Sequence, residues 1–163
     1  MSAVATSALP TSKAVRDMFE ELLGRDVTVA PCEPVVPSPK APGAVAVYVD
    51  ARLRTGAVAV TDMALSAYAG AAIGLVPPGG AKACLEDGAL SPVVFENLYE
   101  VLNIFASLFN QPGAKHLKLY KVYGPDELPP ADVSAYVRTL GRRLDLGVTV
   151  GGYGSGRLGV VAL

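Results

Sequence analysis

Val45-Ala46-Val47-Tyr48-Val49-Asp50 and Ala57-Val58-Ala59-Val60-Thr61 are two apolar runs joined by a short segment that ends in Arg54-Thr55-Gly56. Small and β-branched residues dominate both runs, and a glycine-bearing turn of this length joins antiparallel neighbours. Residues 45–61 therefore read as a hairpin. The chain ends on a second such pattern, Leu144 to Val150 and Leu158 to Leu163, across the glycine-rich stretch Gly151-Gly152-Tyr153-Gly154-Ser155-Gly156. Two hairpins with helical segments between them define an α/β (α+β) fold. Its sheet is largely antiparallel, built from hairpins, and covered on one or both faces by about three helices.

Moving outward from the first hairpin, Thr61 caps a helix over about 62–74, with Asp62 at its positive end. Pro77-Pro78-Gly79-Gly80 reads as its stop, and residues 81–90 as a connector. Upstream, Thr11 or Ser12 caps a helix whose apolar residues recur at Val15, Met18, Phe19, Leu22 and Leu23, ending at Gly24. A short strand follows over 26–30. Pro31, Pro34, Pro37, Pro39 and Pro42 then exclude a helix or a central strand. That stretch reads as an extended connector, and in a polyproline II conformation it would also serve as a ligand. Downstream, Pro92 opens a long helix to about Phe109, which Gln111-Pro112-Gly113 ends. Leu117 to Tyr123 is a strand, and Asp132 caps a short helix through Leu140. Each half of the chain thus runs helix, strand, hairpin, an order that an internal duplication would produce.

The 163 residues suffice for one domain with a full core, assigned to 12–163, with 1–11 disordered. A net charge of −1 supplies no field to hold nucleic acid or an anionic membrane. The start of the chain does not read as a signal peptide, and 64–77 is too short and too interrupted to span a bilayer. The expectation is a cytoplasmic protein. Cys32 and Cys84 lack metal-type spacing and read as small hydrophobes.

The chemistry-bearing residues lie on the long helix. At 100° per residue, Val94, Leu98, Val101, Leu102, Phe105, Leu108 and Phe109 share one face. Glu96, Glu100, Asn103 and Ser107 share the opposite one. Glu100 and Asn103 stand one turn apart, with Cβ atoms about 5–6 Å from each other. A carboxylate beside a carboxamide can anchor a cation and orient a water; otherwise the stripe is a solvated face. Other motifs carry less. The glycine-rich stretch precedes a strand and lacks the Lys-Ser/Thr of a phosphate loop, so it reads as a hairpin turn. His116 has no nearby nucleophile or carboxylate in sequence.

Three stretches resemble the CheC/CheX family of chemotaxis phosphatases, CheX more closely. They are Val15 to Gly24 with the strand at Val27, the hairpin and helix over 47–74, and Glu100-Val101-Leu102-Asn103-Ile104, which is similar to the family's Glu-x-x-Asn signature. The sequence departs from the pattern at Ala106, often Gly, and at Glu96, often Asp or Ser. It also carries no second signature on the first helix, a site that CheX-type members lack too. The resemblance implies hydrolysis of the aspartyl phosphate of a response-regulator receiver domain of the CheY kind. Asn103 would orient the water, and Glu100 would pair with the receiver's lysine. The resemblance implies no cofactor of the protein's own, the Mg²⁺ being supplied by the partner, and a homodimer through open strand edges. Two alternatives stay open: a non-catalytic binding or structural domain of the same fold, and a small-molecule-binding domain built around the apolar helix at 64–74.

Overall fold

Alternation along β2 (Gly43–Val49) and β3 (Thr55–Asp62) sorts side chains onto two faces of one sheet. Ala44, Ala46 and Tyr48, with Ala57 and Ala59, turn to one face; Val45, Val47, Val49, Val58 and Val60 turn to the other. Both faces are buried, which is why the runs carry almost no polar residues. The computed structural model describes residues 6–163. The remaining elements are α1 (Ser12–Leu23), β1 (Val27–Pro31), α2 (Met63–Ile73), α3 (Pro78–Asp87), α4 (Pro92–Phe105), a 3₁₀ turn (Ala106–Phe109), β4 (Lys118–Tyr123), α5 (Ala131–Val137), β5 (Arg143–Val150) and β6 (Gly154–Ala162).

The six strands of the described residues run in the order β1-β5-β6-β3-β2-β4, every neighbouring pair antiparallel. Both expected hairpins are present, β2–β3 and β5–β6, and they meet at the centre through β3 and β6. The single strand of each half crosses over: β1 pairs with β5 of the second hairpin, and β4 with β2 of the first. The shared order of the halves is therefore an interlocked arrangement, symmetric about the β6–β3 pair. Under α1, α2 and α4 lies the larger core, with Phe19, Tyr48, Phe105 and Phe109 clustered in it. On the far face, Val133 and Val137 of α5 and Val35 of the proline-rich segment complete a smaller valine core.

The described residues hold five α-helices where about three were expected over the sheet, and one of the additional ones, α3, packs on α2. The difference begins at Pro77-Pro78-Gly79-Gly80, which starts a helix instead of only ending one. Pro78 takes the first position of α3, where a missing N–H costs nothing. α3 runs through the expected connector and stops at Gly88, whose φ of 66° suits a residue without a Cβ. α2 has already ended at Ile73, and its cap is Asp62, which accepts the Leu65 N–H at 2.8 Å. Thr61 instead pairs its hydroxyl with that of Ser66 at 2.7 Å. The long helix is α-helical to Phe105 and 3₁₀ beyond. α5 starts at Ala131 and closes at Val137, earlier than expected, and Arg143 donates to the free carbonyls of Val137 and Thr139 at 2.8 Å each.

The proline-rich segment is strapped to the sheet. Asp145 accepts the Val35 N–H at 2.9 Å and holds Arg143 in a two-point ion pair, with both side chains nearly excluded from water. Residues 1–5 of the segment expected to be disordered lie outside the described residues. Residues 6–11 carry no helix or strand, yet Ser7 and Pro10 are buried, and the Lys115 N–H donates to the Thr6 carbonyl.

Candidate functional site

α4 exists because its ends and its faces agree. The Ser91 hydroxyl accepts the Val94 N–H at 3.3 Å, and Pro92 fills the first helical position. Val94, Leu98, Val101, Leu102 and Phe105 are buried as the period requires. Glu96, Glu100, Asn103 and Ser107 all face solvent, flanked by Val93 and Tyr99, which are also exposed. The expected stripe is thus an outward face. Glu100 takes part in none of the ion pairs found among the described residues, so its carboxylate is free for an external cation.

Two contacts that the sequence did not announce fix where that face points. Asn97 donates its carboxamide N–H to the Gly70 carbonyl of α2 at 2.9 Å. Behind it, a Cβ on Gly70 would sit 2.5 Å from the Val94 carbonyl oxygen, so α2 and α4 approach closely because Gly70 has none. The available signal was Gly70 and Gly74, one turn apart in an alanine-rich helix. From the sheet, Tyr48 donates its hydroxyl to the Leu102 carbonyl at 2.6 Å.

Beside the stripe, α1 and α4 leave an open groove with Met18, Leu22, Ile104 and Leu108 along it and Asp17, Glu21 and Ser107 at its margins. Asp17 is held below the usual carboxylate range by hydrogen bonds from Lys13 at 2.7 Å and Arg16 at 3.0 Å. A separate cleft of about 490 Å³ lies on the far face, between the proline-rich segment and α5. In the helix at 64–74, Leu65 to Ala72 are buried against α3, α4 and the sheet, apart from a partly exposed Tyr68.

The other candidates fall elsewhere. His116 is exposed ahead of β4. Gly151 to Tyr153 form the β5–β6 turn, while Gly154 to Gly156 already belong to β6. Arg25 caps that turn, donating to the Gly151 carbonyl and stacking 4.8 Å from the Tyr153 ring centre. Cys32 and Cys84 are free thiols, and burial pushes the Cys32 thiol up. Among the described residues no group of three or more His, Cys, Asp or Glu side chains could hold a metal ion, and no helix is long and apolar enough to cross a membrane.

With its six-stranded antiparallel sheet under α1, α2 and α4, the chain is similar in fold to FliM middle domains and to FliY. The FliM middle domain of Vibrio alginolyticus matches 92% of this chain and 86% of its own, with a TM-score of 0.57 and 10% identity. FliM of H. pylori, solved in a complex with SpeE, matches 93% of this chain and 80% of its own, at a TM-score of 0.55 and 8% identity. Thermotoga maritima FliY matches 94% and 84%, at 0.51 and 13%. No protein-family model matches the sequence, and no curated protein matches it. At these identities the likeness is one of fold.

Proposed function

We propose that the protein docks the exposed face of α4 onto the receiver domain of a phosphorylated response regulator and promotes loss of its aspartyl phosphate, as a CheX-like phosphatase. The observation that carries this reading is the placement of Glu100 and Asn103, side by side and solvent-facing on a helix whose other face is fully buried. Asn103 supplies a carboxamide that can accept from and donate to one water, placing it in line with the phosphorus. As the water oxygen bonds to phosphorus, the bond to the aspartyl oxygen breaks. The aspartate leaves as a carboxylate, and the water's proton passes to solvent. Glu100 pairs with a lysine of the receiver and sets the docking geometry. Phosphoryl transfer is mainly positioning and charge stabilisation, so two polar side chains suffice when the receiver brings its own Mg²⁺.

The test is the decay rate of a phosphorylated receiver with wild type, Asn103→Ala and Glu100→Ala at matched concentration. Wild type should speed phosphate loss, Asn103→Ala should abolish most of that effect, and Glu100→Ala should weaken the productive complex. Equal decay with wild type and Asn103→Ala would overturn the catalytic reading. A second reading, docking without hydrolysis, is favoured by the similar FliM of H. pylori, which was solved in a complex with another protein. In that case receiver binding would persist with no change in decay.

A further inference from the structure

Both neighbours of β2 carry one extra residue beside Tyr48, Gly56 in β3 and Tyr120 in β4. The register of β2 against β3 shifts between Tyr48 and Val49, and its register against β4 shifts between Val47 and Tyr48. Bulges of this kind increase the local twist and are often found beside functional sites. Here the ring is fully buried beneath α4, its centre 4.9 Å from that of Phe109 and 6.4 Å from that of Phe105. The hydroxyl reaches the Leu102 carbonyl. In a continuing α-helix that carbonyl would accept the N–H of Ala106, four residues on. Ala106 instead gives its N–H to the carbonyl of Asn103, the three-residue spacing of a 3₁₀ turn, and the chain stays 3₁₀ to Phe109. The phenol thus occupies the acceptor that an α-helix would use, at the peptide joining Leu102 to Asn103.

We infer that Tyr48 is a positioning residue for Asn103: by holding the Leu102 carbonyl it sets the α-to-3₁₀ junction at Asn103, and with it the direction in which the carboxamide leaves the helix beside Glu100. The inference rests on the role proposed for Asn103. It also explains why a tyrosine stands among the valines and alanines of a central strand. Phenylalanine would fill the same space, but it would leave the Leu102 carbonyl free to recapture the Ala106 N–H and continue the α-helix. Burial pushes the Tyr48 phenol well above its usual range, so it keeps its proton and remains a donor.

Tyr48→Phe keeps the ring and removes the hydroxyl. Scalar couplings across hydrogen bonds in isotope-labelled protein report the acceptor of the Ala106 N–H directly. Wild type should couple to the Asn103 carbonyl, and the variant to that of Leu102. In the receiver decay assay, the variant should lower kcat by about tenfold with KM unchanged, since small misplacements of a reacting group cost up to about 10²-fold. It should add nothing to the residual rate of Asn103→Ala, because both changes act on one group. A tenfold loss that persists in the Asn103→Ala background would show the hydroxyl acting on general structure and overturn the inference. Unchanged couplings in Tyr48→Phe would overturn it whatever the rates. A wild-type protein without effect on the receiver would remove the phosphatase reading alone, since the couplings still decide what holds the junction.

Discussion

Glycine-to-alanine substitutions at two helical positions should move stability in opposite directions. Gly70 lies in α2 and Gly79 in α3, and on helix propensity alone each change gains about 1 kcal/mol. At Gly79 a new Cβ would meet nothing within 4 Å, so the gain is realised, reduced somewhat by its place in the first turn. At Gly70 the Cβ would fall 2.5 Å from the Val94 carbonyl oxygen and 2.9 Å from the Val94 Cγ1. The first of these is backbone and cannot rotate away, so α2 and α4 must separate. Overpacking of this kind costs about 1–3 kcal/mol. Separation also stretches the Asn97-to-Gly70 hydrogen bond, worth about 1 kcal/mol net. Against the propensity gain, Gly70→Ala should destabilise by about 1–3 kcal/mol, a fall in Tm of roughly 2–12 °C for a domain of this size. Urea unfolding of the two variants beside wild type measures both signs, with the m-value showing that each unfolds alike. If Gly70→Ala matched or exceeded Gly79→Ala in stability, the close α2–α4 contact, and with it the account of what fixes the α4 face, would be wrong.

Single contacts set four further expectations. The Asp50 carboxyl, buried in the β2–β3 turn, is held to about 2, first by the backbone N–H of Arg54, then by that of Arg52 and the Arg54 side chain. Its contribution is complete above the ordinary value of 3.8 and is lost as pH falls towards 2, so the wild-type urea midpoint should drop across that window more than that of Asp50→Asn. Arg143→Ala leaves Asp145 buried without its partner and frees the end of α5, which should cost about 3–5 kcal/mol in chemical denaturation. Asn103→Ala, on an exposed helix face, should change stability by less than about 0.5 kcal/mol by the same measurement, so that any lost activity is a loss of chemistry. The outer edges of β1 and β4 have no strand beside them among the described residues, and we expect two copies to pair there; light scattering at high micromolar concentration should give twice the monomer mass, and a monomer would remove the dimer.

The hairpins and the outward stripe of α4 were legible in the sequence because each depends on a local period set against one buried face. Leu98 and Phe105 are buried and Glu100 and Asn103 exposed for the reason the helical repeat supplies. α3 was not legible, since Pro77 to Gly80 has the composition of a breaker, and a proline that begins a helix differs from one that ends it only in the residues after it. Nor could Tyr48 be singled out. Its surroundings depend on bulges in the two neighbouring strands, and its role on a carbonyl more than fifty positions along the chain. Arg143 and Asp145, two residues apart, carry no sign of burial in the sequence; it comes with Val35 being laid over them.

The crossing of the two single strands also bears on how the chain reaches this state during synthesis. Val27 is made long before its partner opposite, Val150. The pairing partner of β3 in β6 arrives later still. Until then a nascent chain holds the β2–β3 hairpin with both of its valine and alanine faces incompletely covered, and β1 has nowhere to dock. The sheet therefore cannot close until β5 and β6 have both been made. A ribosome paused before Arg143 would present, for as long as it waited, a hydrophobic sheet edge of the kind that chaperones bind.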